Sequence, residues 1–272
     1  MCAPGARPRA DCDAPMMPAL SLVIPAQSTD DPLLTDLLDS IRQQRFPGRL
    51  EVLVETDGNS EEAKAYGIRK ATGTIIGLLC TDNYLLDPHF LQVMTQYAND
   101  PRVTGAYTAR YAYVPGDTML SRYFALLGAN DPVCWWLWKA DRVSYLDPDP
   151  TTPRTFNGSI PSIGDNGCFV KRAYFETLNI CPERHFCIDA MEDLRQRGHA
   201  TFHIVTTQTI WHRTGASWWT YLAKRWRYVR ELYFRDLPKR RWVMVQTARD
   251  WWGVVTFALA SLTVLPHLVF AL

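Results

Sequence analysis

The sequence has no Gly-x-Gly-x-x-Gly turn after its first apolar run, which argues against a soluble Rossmann-type dinucleotide enzyme. It has no surplus of one charge: 29 Lys and Arg face 28 Asp and Glu, so no overall field points to nucleic acid as a partner. The seven cysteines (2, 12, 80, 134, 168, 181 and 187) lack the paired short spacings of a zinc site and read as free thiols of a reducing compartment. Residues 1–17 are rich in Pro, Ala and Arg without an apolar core of signal length, so 1–18 reads as a disordered leader. There is no internal repeat and no long linker. With 272 residues and 47% hydrophobic content, the chain suits one large domain with an appendage better than two small ones.

The local distribution of charge says more than the total. Basic residues crowd from 213 to 249, including Lys224-Arg225 and Lys239-Arg240-Arg241, immediately before an apolar tail. Residues 251–272 contain no charge other than a protonatable His267, and as a helix these 22 residues would span roughly 33 Å. That length crosses a bilayer, although a helix lying in the membrane interface or packing on the domain fits the same composition. Ten Trp, clustered at 135–138, 218–219 and 251–252, join the arginines in suggesting a cytoplasmic membrane surface.

Along the chain, residues 19–25 (Ala-Leu-Ser-Leu-Val-Ile-Pro) read as a buried parallel strand. Residues 31–45 place leucines at helical spacing before Phe46-Pro47-Gly48. A second strand at 50–54, a helix at 61–70, a third strand at 74–79 and a helix at 88–98 follow. This alternation on short turns predicts an α/β fold: a mostly parallel sheet with helices on both faces. Shorter extended segments at 103–112, 167–171 and 201–205 extend the sheet, and 135–157 reads as a membrane-adjacent loop.

The third strand ends in Cys80-Thr81-Asp82-Asn83, putting Asp82 where open α/β sheets bind ligands, though an isolated Asp after a strand is more often a turn or helix-capping residue. Other pieces occur in order. They are Pro25-Ala26-Gln27-Ser28, Thr56-Asp57-Gly58-Asn59, the helix with Lys64, Gly67, Ile68, Ala71 and Gly73, and Gly164-Asp165-Asn166-Gly167 running to Lys171-Arg172. Asp189-Ala190-Met191-Glu192-Asp193-Leu194 and Ile210-Trp211-His212-Arg213 complete the series. Together these segments, from about 21 to 230, resemble the inverting family 2 glycosyltransferases of GT-A fold.

That resemblance implies a membrane-associated enzyme with a nucleotide-sugar donor and Mg²⁺ or Mn²⁺. It implies donor binding by Pro25, Ala26, Gln27, Asp57, Lys64, Thr81 and Asp82, and acceptor binding by Asn166 and Gly167. Asp82 would ligate the metal, with His212 completing that site or touching the diphosphate. Asp189 would be the catalytic base, with Glu192 and Asp193 as competitors. Cys80 replaces the first acid of the Asp-x-Asp motif, and Gln27 stands where a Tyr often stacks on uracil. The expected domains are a catalytic unit at 19–215, basic amphipathic interface helices at 216–250 and a membrane helix at 251–272. Expected partners are the donor, a lipid-linked or envelope-glycan acceptor and membrane lipids, with the catalytic domain on the cytoplasmic side of the cell membrane. A homodimer, or a complex with other glycan-assembly proteins, remains open, as does a polysaccharide-chain extender. The alternative function is a degenerate nucleotide-sugar-binding or scaffold protein.

Overall fold

The computed structural model describes residues 19–108, 110–128, 131–140, 151–180, 187–213 and 217–263. The leader at 1–18 lies outside them. The first half is built as the sequence pattern predicts. β1 (Leu20–Pro25) pairs in parallel with β2 (Leu50–Glu55) on one side and β3 (Ile75–Leu78) on the other. α1 (Pro32–Arg42) starts where the Asp31 side chain accepts from the Leu33 N–H and Pro32 supplies a preset first-turn φ. α2 (Ser60–Lys70) starts in a capping box between Asn59 and Glu62.

Alternation along the strands sorts the core. Val23, Ile76 and Leu78 face α2, whereas Leu22, Ile24 and Ile75 face α1. Because both faces are covered, the strands read as nearly unbroken apolar runs. The outer helices follow the same division: α3 (Phe90–Asn99) packs with α1's cluster, and α6 (Arg172–Leu178) and α7 (Cys187–Gln196) with α2's.

Among the described residues seven strands form the main sheet: with β5 (Gly105–Tyr107), β6 (Arg154–Thr155), β7 (Cys168–Lys171) and β8 (Thr201–Ile204), the order is β2-β1-β3-β7-β5-β8-β6. β5 and β8 are parallel to each other, while β6 and β7 run antiparallel to their neighbours. Five strands therefore point one way. β5 is only three residues long, far shorter than the extended run read at 103–112.

Two departures from the sequence reading matter. The segment after Asp82 does not open directly into a helix: β4 (Asn83–Leu85) pairs antiparallel with β9 (Ile210–His212), with Asn83 opposite His212. This ribbon stands apart from the main sheet and was missed because three-residue strands carry no readable period. The second departure is at the carboxyl end. α8 (Trp218–Tyr228) continues into a π-helical stretch, Val229–Arg235, and a 3₁₀ turn, Leu237–Lys239. α9 (Ala248–Thr263) has 16 residues and begins with Arg249 and Asp250. The expected membrane-spanning helix is therefore not supported: among the described residues no helix is long and apolar enough to cross a membrane. Residues 264–272 lie outside the described set. The expected loop at 135–157 is also modified, since α4 (Met119–Leu127) is followed by a short helix, α5 (Pro132–Trp136), and 141–150 is not described.

Gly105 shows how tightly the centre of the sheet is packed, because a Cβ there would sit 2.2 Å from the Phe169 carbonyl oxygen on β7. Gly105→Ala is expected to cost about 1–3 kcal/mol by forcing β5 and β7 apart. A thermal melt beside the wild type checks it.

Candidate functional site

The turn between β3 and β4 is closed by Asn83, whose side-chain oxygen accepts from the Cys80 N–H at 2.8 Å while its own N–H donates to the Cys80 carbonyl at 3.0 Å. This places Asp82 at the ribbon's mouth. Its carbonyl accepts from the Arg213 N–H at 2.7 Å, and its carboxylate lies 3.4 Å from His212 Nε2. The pairing of Asn83 with His212 is what brings these two side chains together across 130 residues of sequence. The Tyr111 ring covers His212 at a centroid distance of 4.8 Å. Trp211, one residue on, packs edge-on against Tyr84, donates from Nε1 to Asp117 at 2.6 Å and sits under Arg213, which also pairs with Asp36.

A second wall comes from the loop before β7. Gly164, Asn166 and Gly167 all have left-handed backbone, at φ of 115°, 43° and 90°. A Cβ at Gly167 would lie 2.6 Å from Ile210 Cδ1, so both the conformation and the space require glycine. The Gly167 N–H donates to the Leu78 carbonyl at 2.8 Å, locking the loop to β3. Asn166 is the strained non-glycine residue there, the kind of position that clusters at functional sites. Its Nδ2 donates to the Tyr111 hydroxyl at 3.1 Å, and its buried Oδ1 has no partner among the described residues. Burial pushes the Tyr111 hydroxyl far above its ordinary pKa, so it stays protonated.

Beneath both walls lies an ionic cluster. The Lys64 ammonium donates to Glu61 at 2.8 Å and to Asp165 at 2.7 Å. Burial opposes the charge on Lys64, but Asp165 and then Glu61 outweigh it and hold the ammonium well above the usual lysine range. Burial likewise opposes the Asp165 charge, and Lys64 overcomes it, leaving that carboxyl below its ordinary value. Cys80 Sγ lies 3.0 Å from Asp165 Oδ1, and burial with that carboxylate pushes its thiol well up. Thus Asp165 reaches, from the loop before β7, the Cys80 side chain that stands in place of the motif's first acid. Glu61 also accepts from the Cys187 N–H at 2.8 Å, joining α7 to the cluster.

The donor-side residues fall along one edge. Gln27, Asp57 and Asp82 follow the carboxyl ends of the adjacent parallel strands β1, β2 and β3, with Pro25 and Ala26 buried behind Gln27 and Thr81 beside Asp82. Lys64 is placed differently: its side chain is 2% exposed and engaged with two acids, so it supports the site from below instead of presenting a charge to a ligand.

The acidic segment is also placed differently. Asp189 is fully buried and accepts from Arg240 Nε at 2.6 Å and from the Arg241 and Trp242 backbone N–H groups at 2.9 and 2.6 Å. Glu192 is held by both Arg195 and Gln196, and Asp193 pairs with Arg241. These contacts direct Asp189 and Asp193 toward the chain that follows α8, while Glu192 is held within α7. Sequence reasoning had missed Tyr111, Glu61 and Asp165. The signal for Asp165 was present in Gly-Asp-Asn-Gly, beside the two residues that were chosen.

Asp82 and His212 offer one carboxylate oxygen and one imidazole nitrogen, a donor pair compatible with Mn²⁺ or Mg²⁺ once donor phosphate oxygens and water supply the other ligands. Among the described residues no group of three or more His, Cys, Asp or Glu forms a self-sufficient metal cage.

No family model matches the sequence, and neither does any curated protein. Among solved structures, the mannosyltransferase PcManGT from Pyrobaculum calidifontis, in complex with GDP-Man and Mn²⁺, superposes at a TM-score of 0.54. The match covers 91% of this chain and 76% of that one, at 14% identity. The chain shares that enzyme's fold, a mixed α/β fold of GT-A type. A fragment of S. aureus TarS (residues 1–349) aligns at a TM-score of 0.45 and 10% identity over 71% of this chain, and the chain spans 59% of that fragment's length. Glucosyl-3-phosphoglycerate synthase from Mycobacterium tuberculosis, with Mn²⁺ and UDP-Glc, aligns at 0.47 and 13% identity over 79% of this chain and 78% of its own.

Two outcomes follow from the geometry. Asp189→Ala is expected to destabilise the protein by about 3–5 kcal/mol, since it breaks a buried ion pair and strands two backbone donors. A purely chemical role would leave the melting temperature unchanged. Because Asp165 titrates below its ordinary value of 3.8 in the folded state, the stability it contributes is complete above that pH and is lost as the pH falls below it. Urea midpoints for wild type and Asp165→Asn should therefore converge on acidification.

Proposed function

We propose that this chain is an inverting glycosyltransferase that moves a sugar from a nucleotide-sugar donor to a lipid-linked or envelope-glycan acceptor at the cytoplasmic face of a membrane. The observation that carries the reading is the Asp82 carboxylate facing His212 at 3.4 Å, beyond the carboxyl ends of the parallel strands of a GT-A fold. PcManGT, which shares the fold, was solved with a nucleotide-sugar and Mn²⁺.

The donor's nucleoside would lie along the edge marked by Gln27 and Asp57, with its diphosphate at Asp82 and His212. A divalent ion bound there would neutralise charge on the departing diphosphate. Asn166 Oδ1, buried and unpartnered, is suited to receive a hydroxyl of a bound sugar, and the Tyr111 hydroxyl fixes the amide's orientation from its other end. Inverting transfer needs a carboxylate at the attacking hydroxyl. Asp165 suits that role better than Asp189, because its side chain is 40% exposed beside Asn166 whereas Asp189 is fully enclosed. Lys64 keeps Asp165 ionised. As the acceptor oxygen bonds to the anomeric carbon, its proton passes to Asp165, and the anomeric carbon–phosphate oxygen bond breaks with its electron pair leaving on the nucleoside diphosphate.

A panel of nucleotide-sugars with Mn²⁺ or Mg²⁺, scored for released nucleoside diphosphate, tests this reading. One donor should turn over. Asp82→Ala should lose donor affinity, while Asp165→Asn should bind donor but turn over about 10²–10⁴-fold more slowly. Donor binding without turnover, even with membrane extract as acceptor source, would identify a binding protein instead. Full activity in Asp165→Asn would return the base to another acid.

A further inference from the structure

We propose that α8 and α9 form a docking platform that lies flat on an anionic bilayer beside the acceptor side of the site, so that the acceptor is used while its tail stays in the membrane. The inference deepens the transferase reading and rests on it for the acceptor alone; the docking itself follows from the surface.

At about 100° per residue, α8 presents three different faces, which Val229 and Arg230 extend at the start of the π-helical stretch. One faces inward: Tyr221 is buried against Leu120, Phe124 and Leu127 of α4, with Arg225 and Tyr228 half-buried beside it. The second is an arc about 100° wide holding Trp218, Leu222, Val229, Trp226 and Trp219, all exposed, with Trp219 at 81% and Trp226 at 69%. The third carries Lys224, Arg227 and Arg230, also exposed. From Trp218 to Arg230 there is no acidic residue.

α9 repeats the pattern without the charge. Its inner face meets α5, where Thr256 accepts from Trp136 Nε1 at 3.2 Å and Phe257 packs edge-on against the same indole. Its outer stripe holds Trp251, Trp252, Val255, Leu259 and Leu262, the last 80% exposed. α5 ties the two helices to one support, since its Trp135 packs against the α4–Tyr221 cluster and its Trp136 against α9.

Charge and length select the occupant. Among the described residues no helix is long and apolar enough to cross a bilayer. An apolar arc rich in indoles and bordered by cations is the pattern of a helix buried in the headgroup boundary, where Trp partitions and Lys and Arg meet anionic lipid. A second copy would set the same cations against themselves. The link to the site is Tyr111, which packs against the α4–Tyr221 cluster, stacks on His212 and holds Asn166. The platform is therefore one side chain from the proposed acceptor subsite.

The test is flotation of the full chain with phosphatidylcholine vesicles, with and without phosphatidylglycerol. Binding is expected to the anionic vesicles and to weaken as salt is raised. Lys224→Glu/Arg227→Glu and Trp219→Glu/Trp226→Glu should each reduce it about tenfold or more, with unchanged melting temperature and unchanged donor binding. Failure of wild type to float, or equal binding to both vesicle types and to both variants, overturns the proposal. So does a dimer in light scattering that Trp219→Glu/Trp226→Glu dissolves without any vesicle binding. Donor turnover measured without vesicles separates the two readings: flotation without donor binding defeats the transferase assignment and leaves docking standing, and turnover without flotation does the reverse.

Discussion

The contact on which the site depends is the buried ammonium of Lys64 held between Glu61 and Asp165. It joins parts of the chain that share no strand. Lys64 and Glu61 belong to α2, Asp165 to the loop before β7, and through them the Cys80 turn and the first residue of α7 are drawn to one point. A buried ionic group of this kind need not add stability over a well-packed apolar one of equal volume. Its effect is on register, because a charge that is 2% exposed has few acceptable positions and the loop carrying Asp165 must come to it. The left-handed run at Gly164, Asn166 and Gly167 is the local consequence.

A second buried carboxylate performs a similar service further along the chain. Asp189 binds Arg240 and two consecutive backbone N–H groups, so the segment leaving the helical platform is fastened to α7. The Trp242 ring then enters the main core and donates to the Ile160 carbonyl at 3.0 Å. Residues 240–242 thus tie the segment that follows α8 to α7 and to the main core. The acidic motif, which in sequence suggested chemistry, serves in the folded chain as an anchor.

Much of this was legible beforehand, for identifiable reasons. β1, α1, β2 and α2 follow from apolar runs, cap residues and glycine or proline stops, because each is decided by neighbours within a few residues. The position of Asp82 just beyond β3 was legible because an apolar run that stops at a polar turn marks the end of a buried strand. The β4–β9 ribbon was not, because its pairing partners are 125 to 129 positions apart and its strands are three residues long. The buried, ion-paired placement of Asp189 and Lys64 was not legible for a related reason. A carboxylate or ammonium has the same spacing whether it meets solvent or another charge, and only the tertiary partner decides.

The ribbon has a kinetic consequence. Asp82 and His212 meet only after the chain between them, including β5, β7 and β8, has found its place in the sheet. Contacts of such sequence separation form late, after the entropy of closing the intervening loop has been met. A nascent chain still lacking β9 can complete its first βαβ unit yet hold no paired site. The Asp82–His212 pair is thereby delayed until the far strand has docked, which makes its formation a report on completed folding.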